Sequence, residues 1–266
     1  MDTWILLRGL SRESRHWGDF GECFAQTLEN CRVVTIDLPG NGPLRDLTSP
    51  CRVEEMAEYC RTELARRAVI PPYNLLAMSL GAMVAVAWSH AHRHEIGRCV
   101  LINTSLKPFS PFHQRLRPRN YLPLLRLALF GGSAEKWETE IFRRTSRLRS
   151  DDAASIVRNW VASRNAYPPS KANVWRQLYA AARYRAPAEK PAAAVLILAA
   201  QTDELVDTRC SLTLARAWGC PVAVHDRAGH DLPLDDAEWV AMQVRRWVIA
   251  HGSHSACGGF GENNSN

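Results

Sequence analysis

Residues 74–88 read NLLAMSLGAMVAVAW, and they predict a buried strand, a sharp turn and a helix. The apolar run before Ser79 is short enough for a strand, and the alanine-rich run after it favours a helix. A chain that reverses direction within so few residues holds the turn residue in a strained backbone conformation. Ala77 and Gly81, two positions before and after the serine, leave room for close backbone packing. The alternative is an ordinary helix start capped by the serine hydroxyl.

Length and composition predict a globular chain of one domain with an inserted subdomain. The sequence has 266 residues, of which 46% are hydrophobic, which is enough for a full core. It contains no run of about 20 apolar residues and does not open with the layout of a signal peptide. The eight cysteines form no C-x-x-C pair and no metal-like cluster. We therefore expect a reduced, cytoplasmic setting without a membrane span or a metal site.

Basic residues are concentrated in the middle of the chain. The formal net charge is +6, but residues 115–185 carry far more arginine and lysine than acid, so the remainder is net acidic. This segment predicts a surface for an anionic partner, although a run of charge is more often a solvated face. No nucleic-acid motif accompanies it, and its aromatic residues are too scattered to indicate base stacking.

Several motifs carry a resemblance to a known family. The serine turn resembles the G-x-S-x-G nucleophile elbow of the α/β-hydrolase superfamily, with alanine for the first glycine. The other motifs each follow a predicted strand, and they are similar to the family's H-G, D-x-P-G-x-G, G-x-x-D-x-L-V-P and G-H-x-x-P loops: RG at 8–9, DLPGNG at 37–42, AQTDELVD at 200–207 and GHDLP at 229–233. The sequence thus resembles a serine esterase. This implies an α/β-hydrolase fold, a mostly parallel sheet flanked by helices, with an inserted helical cap.

The resemblance implies a catalytic triad of Ser79, Asp203 and His230, in the superfamily's chain order. Serine is a poor nucleophile at its free pKa, so it needs an imidazole to take its proton and a carboxylate to orient that imidazole. The backbone N–H groups of Leu10 and Leu80 would form the oxyanion hole. No cofactor is implied.

Other polar residues near these motifs are interpreted structurally. Asp37 would brace its turn, and Asp207, a weaker candidate for the acid, would cap the next helix. Arg8 could meet a substrate carboxylate, but bracing of its loop is the commoner role. Asn103 is the last residue of a predicted strand at 99–103, and such ends form the rim of the site in open parallel sheets. The alternating histidines at 90, 92 and 94 are interpreted as a solvated helix end, because they point in different directions.

The resemblance also divides the chain. Residues 1–105 and 188–251 would form the two parts of the hydrolase core, and residues 106–187 a helical cap between them. Residues 252–266, rich in Gly, Ser and Asn, predict a disordered tail. The leucine-rich run at 122–130 would line an acyl pocket or, more commonly, pack the cap onto the core.

The basic cap invites comparison with pimeloyl-acyl-carrier-protein methyl ester esterases of biotin synthesis, which use cap arginines to dock an acidic carrier protein. The candidates for such docking are Arg143, Arg144, Arg147, Arg149 and Arg158. Three hypotheses remain. They are an esterase or thioesterase for carrier-bound acyl chains, a general short- or medium-chain carboxylesterase, and a non-catalytic binder with the same fold.

Overall fold

A single parallel sheet forms the centre of the molecule. The computed structural model describes residues 1–148 and 151–252. In these residues the strands are β1 (Asp2–Leu7), β2 (Cys31–Ile36), β3 (Tyr73–Met78), β4 (Ile96–Ile102), β5 (Ala194–Ala200) and β6 (Val222–His225). They pair in the order β2-β1-β3-β4-β5-β6, and every pair is parallel. The predicted parallel sheet is confirmed.

The central strands are buried on both faces, which explains their unbroken apolar sequences. Every residue of β3 is buried, and β5 is buried from Val195 onward. Leu75 of β3 is in register with Ile5 of β1 and Cys99 of β4, and all three are fully enclosed on one face of the sheet. The strand that leads into the serine turn, β3, and its neighbours β1 and β4 therefore lie at the centre of the core.

Helices cover both faces of the sheet. In the described residues the α-helices are α1 (Phe20–Leu28), α2 (Val53–Arg66), α3 (Leu80–Ala91), α4 (Phe112–Arg115), α5 (Tyr121–Phe130), α6 (Ala134–Thr145), α7 (Asp151–Ala166), α8 (Lys171–Arg183), α9 (Arg209–Trp218), α10 (Leu232–Asp235) and α11 (Ala237–Gly252). One hydrophobic cluster joins the sheet to α2, α3 and α9, and the other joins it to α1 and α11. None of the helices in the described ranges is long and apolar enough to cross a membrane.

The segment between β4 and β5 consists of helices α4–α8, and its two ends lie side by side. Lys107 and Arg185 form a parallel bridge, and Ala186 N–H donates to the Lys107 carbonyl at 2.8 Å. Helix α8 ties this segment to the loop after β2, because Gln177 Nε2 donates to Asn41 Oδ1 at 2.8 Å. We propose that residues 106–187 form the cap, and we refer to them below as the helical segment.

Two predicted boundaries need comment. Helix α11 includes Gly252, which had been assigned to the disordered tail, so the helix runs one residue further than expected. The rest of the predicted tail, residues 253–266, lies outside the described residues. Helix α3 ends at Ala91, and the histidines that follow it belong to no metal-binding group among the residues that the structure covers.

Candidate active site

Ser79 occupies a strained turn between β3 and α3. Its backbone has φ 53° and ψ −116°, a region that residues other than glycine rarely adopt. Its N–H donates to the Ile102 carbonyl of β4 at 3.1 Å, and its carbonyl accepts from Ala82 N–H at 3.0 Å. Its side chain makes no capping hydrogen bond to the helix, so the helix-cap alternative does not apply. The serine is partly exposed, whereas Met78 and Leu80 on either side are buried.

The glycines around the turn are required by close packing. A Cβ on Gly81 would lie 2.5 Å from the Leu7 carbonyl oxygen and 2.6 Å from that of Arg8. A side chain there would push the start of α3 away from the end of β1. A Cβ on Gly9 would lie 3.3 Å from the Ser79 Cβ. The loop after β1 therefore packs directly against the serine.

His230 and Asp203 form a buried pair. His230 Nδ1 lies 2.7 Å from Asp203 Oδ2, and each residue is 3% exposed. The other carboxylate oxygen of Asp203 accepts the backbone N–H groups of Leu205 and Val206 at 2.7 and 2.9 Å. These bonds fix the carboxylate, which in turn orients the imidazole. Asp207, the weaker candidate for the acid, instead accepts from Arg209 N–H at 3.0 Å, at the start of α9.

Asn103 holds the histidine loop against the sheet, a role that the sequence analysis did not assign. Its Nδ2 donates to the His230 carbonyl at 2.8 Å and to the Gly229 carbonyl at 3.2 Å. Its Oδ1 accepts from Ala200 N–H at 2.8 Å, at the end of β5. Its own φ is 45°, a conformation that asparagine tolerates better than most residues. The sequence feature that could have indicated this role is the position of a polar residue at the end of an apolar strand.

A cavity of about 390 Å³ opens over the serine. Ser79, His230, Leu10 and Leu80 all line it, and Asp203 lies behind the imidazole. The structure thus brings together all five residues that the sequence analysis assigned to the reaction. The helical segment also contributes to the lining, through residues of α4, α5, α6 and α8.

Arg8 and Asp231 form a buried ion pair next to these residues. Arg8 Nη2 lies 2.6 Å from Asp231 Oδ2, Nη1 lies 3.0 Å from Oδ1, and each side chain is 3% exposed. The guanidinium also lies over the Trp17 ring, 4.7 Å from its centroid. The pair joins the loop after β1 to the residue that follows His230, which agrees with the bracing interpretation of Arg8. Asp37 also braces its surroundings, because it accepts from the N–H and hydroxyl of Ser14.

The leucine-rich run fits neither of its two expected roles completely. Leu124 lines the cavity and Leu127 is buried, but other members of α5 face solvent. Exposed fractions of 44–80% are found for Leu122, Leu125, Leu129 and Phe130. Helix α8 contributes more of the apolar lining than any other helix of the segment, including Trp175 and Leu178.

The candidate docking arginines differ in their surroundings. Arg144 pairs with Glu140 and donates to Asn120 Oδ1 at 2.7 Å. Arg147 lies 3.0 Å from Glu204 Oε1 and donates to the Thr202 carbonyl.

The remaining docking candidates are more accessible or are not described. Arg143 pairs with Glu140, but its side chain is 70% exposed, and Arg158 is exposed on α7. Arg149 lies outside the described residues.

Comparison with protein families identifies the class to which this fold and site belong. Residues 4–243 match the model of the alpha/beta hydrolase family. Because that match spans most of the sequence, the chain belongs to the alpha/beta hydrolase family. The α/β-hydrolase fold that the motifs predicted is therefore confirmed.

Solved structures support the same fold. An enol-lactonase from Burkholderia xenovorans LB400 superposes with a TM-score of 0.75 at 16% identity, covering 93% of this chain and 91% of the other. A thermophilic esterase from Thermogutta terrifontis gives a TM-score of 0.72 at 18% identity, with 94% and 90% coverage. At these identities the similarity defines the fold and not the substrate.

One curated relative has a closer but shorter similarity. A biotin biosynthesis bifunctional protein from Teredinibacter turnerae is 33% identical over 103 residues. The match covers 38% of this chain and 17% of that protein. The chain therefore corresponds to a small part of that relative's length.

Proposed function

We propose that this protein is a serine hydrolase that cleaves carboxylic esters through an acyl-enzyme intermediate. The observation that carries the proposal is the buried His230–Asp203 pair, 2.7 Å apart, beside a serine held at φ 53° on the same cavity. This arrangement fits acyl transfer, in which a strained turn presents the nucleophile to a base oriented by a carboxylate. Membership of the alpha/beta hydrolase family supports the same reaction class.

In the proposed mechanism, Ser79 Oγ attacks the ester carbonyl while His230 Nε2 takes its proton. The N–H groups of Leu10 and Leu80 stabilise the negative charge that develops on the carbonyl oxygen. The Leu80 N–H is free for this role because the first N–H groups of a helix have no partner within the helix. His230 then protonates the departing alcohol, and water releases the acid from Ser79 by the reverse sequence. The mechanism needs no cofactor.

The substrate that we propose first is an ester of a carrier-bound acyl chain, such as a methyl ester. The partial similarity to a biotin biosynthesis protein supports this choice. The exposed side chains of Arg143 and Arg158 could steer an acidic carrier protein towards the helical segment. We propose a reduced, cytoplasmic setting for this reaction, consistent with the free thiols among the described cysteines.

A second candidate is a general carboxylesterase for short or medium acyl chains. It is favoured by the ion pairs of Arg144 and Arg147, which are made within the chain to Glu140 and Glu204. Arginines engaged in this way offer less charge to a partner. The mostly apolar cavity fits an acyl chain without requiring a carrier.

The test is hydrolysis of p-nitrophenyl esters from two to twelve carbons by the wild type and by Ser79→Ala. We expect the wild type to hydrolyse some members of the series and the variant to lose at least about 1,000-fold of that activity. The chain length at which activity declines reports the depth of the cavity. A Ser79→Ala variant that remains fully active would contradict the proposed nucleophile. A folded wild type that hydrolyses no ester at all would favour the non-catalytic binder.

Salt and charge reversal distinguish a carrier-bound substrate from the substrates of a general carboxylesterase. Hydrolysis of an acyl-carrier-protein methyl ester should weaken at high salt and with the double change Arg143→Glu/Arg158→Glu, because both reduce attraction to an acidic partner. Hydrolysis of p-nitrophenyl esters should respond to neither. Arg32→Glu/Arg246→Glu, at exposed positions on β2 and α11, is the matched control with the same change in net charge. Equal effects of the two double changes would contradict docking on the helical segment.

A further inference from the structure

Four arginines line the cavity over Ser79 in the described part of the chain, and three of them have an acidic partner. Arg8 pairs with Asp231, as described above. Arg12 lies 2.5 Å from Glu138 Oε2, and Arg144 pairs with Glu140. Each of these three arginines therefore has a carboxylate partner within the chain.

The fourth, Arg115, is different. It is the last residue of α4, and only 8% of its surface is exposed. Its Nη2 donates to the Ala181 carbonyl at 2.8 Å, but Nε and Nη1 are enclosed without a hydrogen-bond partner in the described residues. Among those residues, it also has no carboxylate within ion-pair distance. Arg115 is thus a buried, unbalanced cation on the wall of the cavity.

Such a group is costly unless something offsets it. Burial of an unpaired charge removes its hydration, and buried donors without acceptors add a further penalty. Burial lowers the pKa of Arg115 for the same reason, yet an arginine keeps its proton throughout the neutral range. An anion bound in the cavity beside Arg115 would offset the unbalanced charge. The cavity of about 390 Å³ has room for a small anionic group on an acyl chain.

We propose that Arg115 binds a carboxylate of the substrate, so that the preferred substrate is an ester that also carries a free carboxylate, as in a half-ester of a dicarboxylic acid. This inference rests on the proposed ester hydrolysis by Ser79 in the same cavity, and it favours a free half-ester over a carrier-bound ester, whose second carboxyl group is tied up in the bond to the carrier. The apolar lining would hold the methylene chain between the ester and the carboxylate. Arg115 is a specificity-determining residue in this account and takes no part in bond breaking.

The test compares matched substrates. Monomethyl esters of glutaric, adipic, pimelic and suberic acids are assayed beside the methyl esters of monocarboxylic acids of equal chain length, with the released acid measured by chromatography. In the wild type, kcat/KM should be higher for at least one half-ester than for its neutral counterpart. In Arg115→Met this preference should fall by about 10- to 100-fold, mainly through KM, because the attraction between the buried guanidinium and the substrate carboxylate is lost. Arg115→Lys should restore part of it.

Two controls separate binding from structure. Arg126→Met, at an exposed position on α5, should keep the wild-type preference for the half-ester. The melting temperature of Arg115→Met should equal or exceed that of the wild type, since the change removes an unbalanced buried charge. A clear fall in melting temperature, with equal losses on charged and neutral esters, would show a structural arginine and overturn the proposal. An unchanged preference in Arg115→Met would overturn it as well.

A binding measurement keeps this proposal separable from the proposed hydrolysis. If the wild type hydrolyses none of the esters, adipate and pimelate are titrated into the wild type and Arg115→Met, and melting temperatures are recorded. Stabilisation of the wild type alone would support the carboxylate site even though the proposed reaction had failed. Equal responses of the two proteins would overturn the carboxylate site.

Discussion

The carboxyl edge of the sheet and the helical segment face each other across one cavity, but they are built differently. At the sheet edge, backbone groups position the polar side chains: two N–H groups hold Asp203, and a strained turn holds Ser79. In the helical segment, residues from four separate helices form the cavity wall, and much of α5 faces solvent. The proposed chemistry therefore depends on local backbone geometry, whereas substrate choice depends on side chains brought together from separate helices.

The largest expected effect at the sheet edge comes from changing Asp203, the carboxylate that contacts the His230 imidazole. Asp203→Asn should lower kcat by about 10,000-fold, because an amide cannot hold the imidazole in the required tautomer or stabilise its charged form. The side chain keeps its size, so the melting temperature should change little. Kinetics with the best p-nitrophenyl ester measure the effect. A loss below about 10-fold would show that Asp203 does not orient His230 during the reaction.

The next prediction concerns the ion pair that joins two loops of the sheet edge. Arg8→Met should destabilise the protein by about 3–5 kcal/mol, because Asp231 is left as an unpaired buried charge. The double change Arg8→Met/Asp231→Asn should recover part of that loss. Urea denaturation of the wild type and the variants gives the comparison. Arg66→Met, which removes an ion pair whose arginine is 72% exposed, is the control and should cost less than about 1 kcal/mol. Equal costs for Arg8→Met and Arg66→Met would contradict the account.

Motifs of the sheet edge could be predicted from sequence for a physical reason. Strand β5 ends at Ala200, where the AQTDELVD motif begins, because a fully buried parallel strand needs an unbroken apolar run. The serine turn could also be predicted, because close packing, such as that of Gly81 against the Leu7 carbonyl, requires small residues beside the serine. Burial of a strand and close packing at a turn each restrict the residue types within a short stretch, so the sequence of that stretch indicates them.

Contacts between distant residues could not be predicted in the same way. The pairing of Arg8 with Asp231 joins positions 223 residues apart, and nothing in either stretch indicates the other. Arg115 is one of many arginines between 115 and 185, and only the fold separates this buried, unbalanced member from the rest. The leucines of α5 show the same limitation, because a leucine-rich run does not determine which side the helix buries.

Asn103 offers a smaller perturbation of the sheet edge. Asn103→Ala should destabilise the protein by about 2 kcal/mol, since it removes the bonds to the histidine loop and leaves Ala200 N–H without its acceptor. Activity should fall by about 10-fold as His230 becomes less firmly positioned. Denaturation and ester kinetics are measured together, with the exposed Asn159→Ala on α7 as control. Unaltered stability and activity in Asn103→Ala would remove this residue from the account.

The smallest predicted effect is a pH dependence of stability outside the site. Burial, then the charges of Arg12 and Arg8, lower the pKa of His16 well below 6.5. Below about pH 6.5, His16 binds a proton in the unfolded chain but stays neutral in the folded chain. The free energy of unfolding should therefore fall as pH falls. The contribution approaches about 1.4 kcal/mol per pH unit below about 6.5. His16→Gln should flatten the fall in unfolding free energy between pH 7 and 5, and the exposed His94→Gln should not. Equal slopes in the two variants would contradict it.

The central claim is that Ser79 is an activated nucleophile, and covalent labelling tests it most directly. The folded protein is treated with a fluorophosphonate at neutral pH, and its intact mass and labelled peptide are measured. We expect one phosphonyl group per chain on Ser79, none in Ser79→Ala, and much slower labelling in His230→Ala. Labelling at another residue, or the same labelling rate in His230→Ala as in the wild type, would contradict the account.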